Sequence, residues 1–283
     1  MIQFPNAKIN LGLHVTSRRD DGYHNLETVF YPIPLFDALE FVVQPHSKEK
    51  ISLIISGLSV QGNPQENLVC KAYHLLADEF NLPSVTVYLK KIIPLGAGMG
   101  GGSSDATMML KMLIDFFDLK ISDEKLEVLA AKLGADCAFF VRNKSVFAEG
   151  IGNVFSPIAC DLKGYQLLLI KPNVFVSTKD AFAHIIPRDK KSTLEEVNLR
   201  EIIKEPVSKW RELMVNDFEQ SVFIKFPILQ LLKQELYNAG AEYAAMSGSG
   251  ATVFGLFSPD NKIQLDQISV TKKKDTFVQL LTL

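Results

Sequence analysis

Residues 93 to 106 read IPLGAGMGGGSSDA, and five of the seven residues from 96 to 102 are glycine. Glycine loses more backbone freedom on ordering than any other residue, so a cluster this dense marks a backbone shape that side chains would obstruct. An extended run, VTVYLKKI, precedes it, and an apolar helical pattern opening at about Ser103 follows. Strand, glycine loop and helix together supply several free backbone N–H groups and the positive end of a helix dipole, which is the chemistry of a phosphate cradle. Ser103 and Ser104 add hydroxyl groups, as donors or as a metal ligand. Asp105, read as part of the first turn, suits the dipole as a helix-stabilising charge. Better-known glycine motifs do not fit. A dinucleotide fold needs a strand soon after the helix, and here a second helical pattern, SDEKLEVLAAKLG, comes next. A Walker A loop needs Gly-Lys, and no such dipeptide occurs in the chain. The protein-kinase HRD and DFG elements are also missing.

Two charged residues stand in apolar surroundings. Lys8 lies with Asn10 on the polar side of the alternating run AKINLGLHV. A lysine there is ordinarily solvated surface, but an ammonium turned inward could stabilise an alkoxide forming on a hydroxyl, or hold a carboxylate ionised. Asp136 sits in GADCAFFV, where capping the turn that follows is one reading. Tyr23 and His24 follow an Asp21-Gly22 turn and suit either a plain hairpin or the recognition of an aromatic base. Gly248 and Gly250, within MSGSGATVF, fit a tight hairpin turn equally well.

The elements that must position these residues follow from periodicity. Before the glycine cluster the chain is strand-rich: residues 7–15 alternate, Asp21-Gly22 signals a hairpin, and NLETVFYPI returns from it. ALEFVVQ and ISLIIS are further strands, and NLVCKAYHLLADEF is one helix. After the cluster, residues 104–118 and SDEKLEVLAAKLG fit helices, the second capped by Ser122 and closed by Gly134. YQLLLIKP then starts a second region, whose helix FPILQLLKQELYNAG ends at Gly240 before a strand, glycine turn and strand. Strands and helices in each half, without regular βαβ alternation, predict an α+β architecture of two domains, residues 1–163 and 164–283. At 283 residues, 47% hydrophobic and 22% charged with a formal charge of -2, the composition is that of a soluble globular protein rather than a nucleic-acid binder. No apolar run is long enough for a membrane span, and Lys8 and Asn10 interrupt what a signal peptide would need, so a cytoplasmic protein is expected. Three scattered cysteines and five histidines show neither disulfide nor zinc spacing.

PNAKINLGLHV, IPLGAGMGGGSSDA and MSGSGATVFGLF, in this order and spacing over residues 5–257, resemble the three motifs of the small-molecule kinases named for galactokinase, homoserine kinase, mevalonate kinase and phosphomevalonate kinase, the GHMP family. RRDDGYHNLETVF and LGADCAFFV resemble the branch of that family whose substrate is a cytidine-diphosphate-linked methylerythritol, phosphorylated on its 2-hydroxyl. The departures are small: Ala138 stands where proline is frequent, and Phe182 where tyrosine is. The resemblance implies a two-domain GHMP-kinase-like fold. It implies ATP held by Pro94, Leu95, Gly96, Ala97, Gly98, Met99, Gly100, Gly101, Gly102, Ser103 and Ser104, with adenine near residues 63–68 and 90–94. It further implies Lys8 and Asp136 as the catalytic pair, Asp136 taking or orienting the hydroxyl proton. Asn10, Tyr23, His24, Thr178 and Phe182 would contact substrate, with Phe182 stacking on cytosine and Thr178 bonding a diphosphate oxygen. Ser247, Gly248, Ser249 and Gly250 would close the site. Mg2+ is implied by ATP chemistry, Ser104 being the nearest ligand candidate and the second ligand unassigned. The rivals are the same fold acting on homoserine or mevalonate, and a nucleotide-binding sensor without catalysis.

Overall fold

A computed structural model describes residues 1–60, 62–183, 185–188, 198–261, 263, 265, 268, 269 and 275–283. Two compact units interleave along the chain. Unit 1 is Met1–Lys8, Leu35–Leu95 and Gly100–Lys144; unit 2 is Ile9–Pro34, Gly96–Met99 and Ser145–Leu283. The architecture is α+β, as the strand and helix patterns predicted. Among the described residues no helix is long and apolar enough to cross a membrane.

Unit 1 holds a four-stranded sheet in the order β1 (Ile2–Gln3), β4 (Ala38–Val43), β6 (Val85–Lys91), β5 (Ile51–Gly57). β5 and β6 run parallel, Ile51 opposite Val85 through Gly57 opposite Lys91. A parallel pair needs a crossover, and α1 (Leu68–Phe80) lies between the two strands in sequence. Along β6, buried residues alternate with half-buried Thr86 and exposed Tyr88 and Lys90, which leaves one face for helices. There Val85, Val87 and Leu89 share a core with Tyr73 and Leu76 of α1 and with Met109, Leu110 and Leu113 of α2 (Gly101–Phe116). α3 (Asp123–Ala131) begins as predicted, the Ser122 side chain accepting from Lys125 N–H. It ends before Gly134, at a Lys132 cap that is not left-handed, so Gly134 is not the capping glycine. α4 (Phe139–Arg142) completes the unit.

Unit 2 carries two sheets. One runs β2 (Asn6–Arg18), β3 (His24–Phe36), β7 (Val146–Glu149), β8 (Val154–Pro157). The first three residues of β2 belong to unit 1. The predicted turn joins β2 to β3: Arg19 N–H donates to Tyr23 C=O at 2.8 Å, and Gly22 takes φ +85°. The other sheet is antiparallel, β10 (Tyr243–Met246), β11 (Val253–Phe257), β9 (Gln166–Lys171), β12 (Phe277–Thr282). α9 (Pro227–Asn238) packs on β10 and β11, and Gly240 follows its end at φ +96°. The shorter helices α5 (Thr178–Phe182), α6 (Leu199–Ile202), α7 (Val207–Leu213) and α8 (Phe218–Lys225) fill the remainder.

β2 is buried on both faces from Asn6 to Thr16, not half-polar as its alternation suggested. This strands His14, whose Nε2 has no hydrogen-bond partner among the described residues. Burial lowers its pKa from 6.5 to about 4; Arg188 adds to the fall and Asp217 opposes it. As pH drops below the unfolded value, the unfolded chain takes up a proton that the folded chain refuses, so stability falls between these two pKa values. His14→Leu is therefore expected to flatten the loss of melting temperature between about pH 7 and about pH 5. Equal losses in parent and variant would remove His14 as the cause.

Candidate active site

The glycine loop joins β6 to α2. Helix α2 begins at Gly101, two residues earlier than its sequence suggested, and its cap is Gly100 in the left-handed region at φ +69°. Gly100 C=O accepts from Ser104 N–H at 2.9 Å. The N–H groups of Gly101, Gly102 and Ser103, in the first turn, precede the helical ladder and have no acceptor within it. These free N–H groups lie at the positive end of the dipole of a 16-residue helix. Asp105 is consequently the fifth helical residue and not in the first turn; its carboxylate is buried.

Unit 1 brings Lys8 and Asp136 together beside this turn. Lys8 Nζ lies 3.3 Å from Asp136 Oδ2, with the Lys8 side chain 4% exposed and that of Asp136 33%. The ammonium is thus withdrawn while its carboxylate partner stays accessible. A Cβ on Gly100 would come within 3.3 Å of Lys8 Cε and 2.9 Å of Phe140 Cζ, so the lysine stem passes directly against the bare backbone of the helix cap. Asp136 does not cap α4, which has Ala138 at its cap and no side-chain capping bond. Its turn is fixed instead from α2: Thr107 Oγ1 stands 2.8 Å from Cys137 C=O and 2.9 Å from Ser103 C=O. Asn6 and Asn143 exchange side-chain hydrogen bonds of 3.2 and 2.7 Å, tying the start of β2 to the end of α4.

In unit 2 the loop residues Gly96–Met99 meet the turn between β10 and β11. Ser247 Oγ donates to Gly98 C=O at 2.8 Å, and Thr252 N–H reaches Ala97 C=O at 3.4 Å. Ser247 is fully buried and also accepts from Asn10 N–H at 3.3 Å. Asn10 is itself buried, its Nδ2 donating to Thr28 Oγ1 at 3.0 Å. A Cβ on Gly248 would approach Asn10 Oδ1 to 3.2 Å, so Asn10 lies directly under this turn. Ser249 and Gly250 complete it; Gly250 N–H returns to Ser247 C=O at 3.0 Å.

The residues expected at a cytosine gather in the same unit. His24 and Phe182 stack, with centroids 4.8 Å apart and planes inclined by 19°. Phe182 in turn meets Phe218 edge-on at 4.7 Å. Partial burial and the nearby Arg18 charge lower the His24 pKa. Tyr23 is exposed beside the turn, and Thr178 is exposed at the start of α5.

Sequence reasoning missed the residues that hold the Ser247 turn. Asn216 Nδ2 donates to Met246 C=O at 2.7 Å and Gly248 C=O at 2.8 Å. Glu219 accepts from Met246 N–H at 2.8 Å and pairs with Lys233; burial raises its pKa, Lys233 opposing. Asp217 accepts from Val15 N–H at 2.8 Å and from Arg188. The available signal was NDFE (216–219), three strong hydrogen-bonding residues in four positions inside an apolar stretch. Among the described residues no cluster of histidine, cysteine or acidic groups has the make-up of a metal site.

The chain matches the family model for the GHMP kinases N terminal domain over residues 67–144 and that for the GHMP kinases C terminal over residues 198–268. It is 61% identical over 263 residues to the 4-diphosphocytidyl-2-C-methyl-D-erythritol kinase of Bacteroides fragilis, covering 93% of this chain and 94% of the relative. It is 56% identical, with the same coverage, to the protein of that name from Bacteroides thetaiotaomicron. A solved 4-(cytidine 5'-diphospho)-2C-methyl-D-erythritol kinase superposes over the full length of both chains with TM-score 0.77 at 29% identity. The mevalonate kinase of Methanococcus jannaschii, at 15% identity and TM-score 0.71, shares the fold.

Proposed function

The chain belongs to the GHMP kinases, in their 4-diphosphocytidyl-2-C-methyl-D-erythritol kinase group, and from that premise we propose how its residues divide the work. The reaction is ATP-dependent phosphorylation of the 2-hydroxyl of 4-diphosphocytidyl-2-C-methyl-D-erythritol, a step of the non-mevalonate route to isoprenoid precursors. The observation that carries the assignment of roles is the Lys8–Asp136 pair set against the cap of the phosphate-binding helix.

ATP places its phosphates on the first-turn N–H groups of α2 and on the loop from Pro94 to Ser104, where the helix dipole favours negative charge. Were magnesium bound with the nucleotide, the Ser104 hydroxyl would be the nearest protein ligand, and the ion would offset phosphate charge. The substrate 2-hydroxyl hydrogen-bonds to Asp136. The oxygen attacks the γ-phosphorus as the bond to the β-phosphate oxygen breaks, ADP leaves, and Asp136 receives the proton. Because the transition state is loose, Asp136 needs chiefly to orient the nucleophile and accept its proton late. Lys8, 3.3 Å from the Asp136 carboxylate, offsets negative charge on the attacking oxygen. Phe182 offers its π-face to the cytosine and His24 its base-edge contacts with Tyr23 beside it, Thr178 takes a diphosphate oxygen, Asn10 contacts the substrate, and the Ser247–Gly250 turn serves as site architecture. Nucleotide binding is assigned to residues 1–163 and the C-terminal GHMP domain to residues 164–283.

ADP release from Mg-ATP with the cytidyl substrate, homoserine and mevalonate in parallel tests this reading. Turnover on the cytidyl substrate alone is expected. Turnover on another alcohol would overturn the roles given to Tyr23, His24 and Phe182, and nucleotide binding without turnover on any would overturn catalysis. Phe182→Ala is expected to raise KM for the cytidyl substrate about tenfold, the worth of one aromatic stack, with KM for ATP changed less than about twofold. A parallel rise in both constants would place Phe182 in the core alone.

A further inference from the structure

Lys91, the last residue of β6, is 2% exposed and has two acidic partners. Its ammonium bonds Asp37 Oδ2 and, at 2.7 Å, Asp105 Oδ2. Asp37 is fully buried, and its second oxygen accepts the backbone N–H groups of Ile92 and, at 2.9 Å, Ile93. These are the two residues immediately before Pro94. Asp105 belongs to α2, immediately after the loop. Between them, a Cβ on Gly101 would come within 3.4 Å of Lys91 Nζ and 2.8 Å of Ile93 Cγ2, so the ammonium and the strand end press on the first helical residue. The cluster therefore touches the backbone on both sides of the glycine loop, and all of it lies within unit 1.

Three buried ionic groups carry a desolvation cost that apolar residues of similar size would avoid, so stability alone does not account for them. What they supply is a fixed distance between the two ends of a segment that glycine makes expensive to order. We propose that Asp37, Lys91 and Asp105 are positioning residues for ATP: Lys91 clasps the two ends of the phosphate-binding loop, so that its N–H groups are arranged before the nucleotide arrives. This rests on the reading of residues 94–104 as the ATP site. Preorganisation of this kind acts on nucleotide affinity and not on the alcohol.

Calorimetric titration with Mg-AMP-PNP, with no alcohol present, separates the clasp from the choice of substrate. Asp105→Ala is expected to weaken nucleotide binding about 10- to 100-fold, while Asp105→Asn, which keeps an acceptor for Lys91, stays within about threefold of the parent. KM for the cytidyl substrate is expected to stay within about threefold in both. A cooperatively melting Asp105→Ala that binds like the parent would overturn the proposal, as would equal losses for nucleotide and alcohol. Should Asp105→Ala not fold, hydrogen exchange on the unaltered enzyme decides. Amides of residues 92–105 are expected to be protected without nucleotide nearly as well as with it, and rapid exchange there until nucleotide is added would overturn the clasp. A parent that binds no Mg-AMP-PNP yet shows this protection would sink the ATP reading while leaving the clasp as a structural fact.

Discussion

Asp136→Asn is expected to lower kcat about 10²- to 10⁴-fold, the usual worth of a positioned general base, while KM for ATP moves less than about threefold. Asparagine matches aspartate in size and still offers an oxygen to Lys8, which lies 3.3 Å away in the parent. It lacks the capacity to accept the hydroxyl proton. Because the turn around Asp136 is fixed through Cys137 C=O and Thr107, the substitution leaves the local backbone in place. The loss should therefore appear in the chemical step, and single-turnover kinetics with saturating ATP would show it. A loss near the low end would mean that Asp136 mainly orients the hydroxyl, as a loose transition state allows. Unchanged kcat would remove Asp136 from the reaction.

Gly98→Ala is expected to weaken Mg-ATP binding by more than about 100-fold, through displacement of the loop. Gly98 holds φ +73°, which an L-residue adopts at a cost of about 1–2 kcal/mol. The larger effect is steric. A Cβ there would run into the Ser247 backbone carbonyl, 2.8 Å from its carbon and 3.3 Å from Gly250 C=O. Neither is the end of a flexible side chain, so the loop or the turn must move, and the Ser247 Oγ to Gly98 C=O hydrogen bond goes with it. Gly102→Ala is the instructive contrast: the residue is helical, and the nearest atom to an added Cβ is Leu68 Cδ1 at 3.9 Å. Its effect on nucleotide affinity should be at least about tenfold smaller. Equal effects of the two substitutions would show that glycine content, not close approach, is what the loop needs.

Features with a local cause were readable from the chain. Asp21-Gly22 gave a turn because Gly22 supplies positive φ, and Ser122 marked the start of α3 because its hydroxyl accepts from the first turn. Gly240 marked the end of α9 for the same reason as Gly22. The glycine loop was legible as a strand-to-helix corner, since Gly96, Gly98 and Gly100 take the left-handed backbone that its composition suits. Features set by tertiary contact were not. Glycine is the poorest ordinary helix former, so propensity placed the start of α2 at Ser103; packing of Ile93 and Lys91 on Gly101 moves it to Gly101. That shift carries Asp105 out of the first turn and into the ion cluster with Lys91 and Asp37, whose members lie too far apart in sequence to suggest one another. Lys8 read as half-exposed because alternation reports one covered face, whereas β2 has both covered. Asn216 and Glu219 act through backbone groups of a distant turn, which no local pattern encodes.

Phosphorus NMR of the product most directly tests transfer to the 2-hydroxyl. The unaltered enzyme, incubated with Mg-ATP and 4-diphosphocytidyl-2-C-methyl-D-erythritol, should consume the γ-phosphate signal and produce one new phosphomonoester coupled to the C2 position, in step with ADP. ADP accompanied by inorganic phosphate, or a monoester on another hydroxyl, would contradict the reaction assigned to Lys8, Asp136 and the glycine loop.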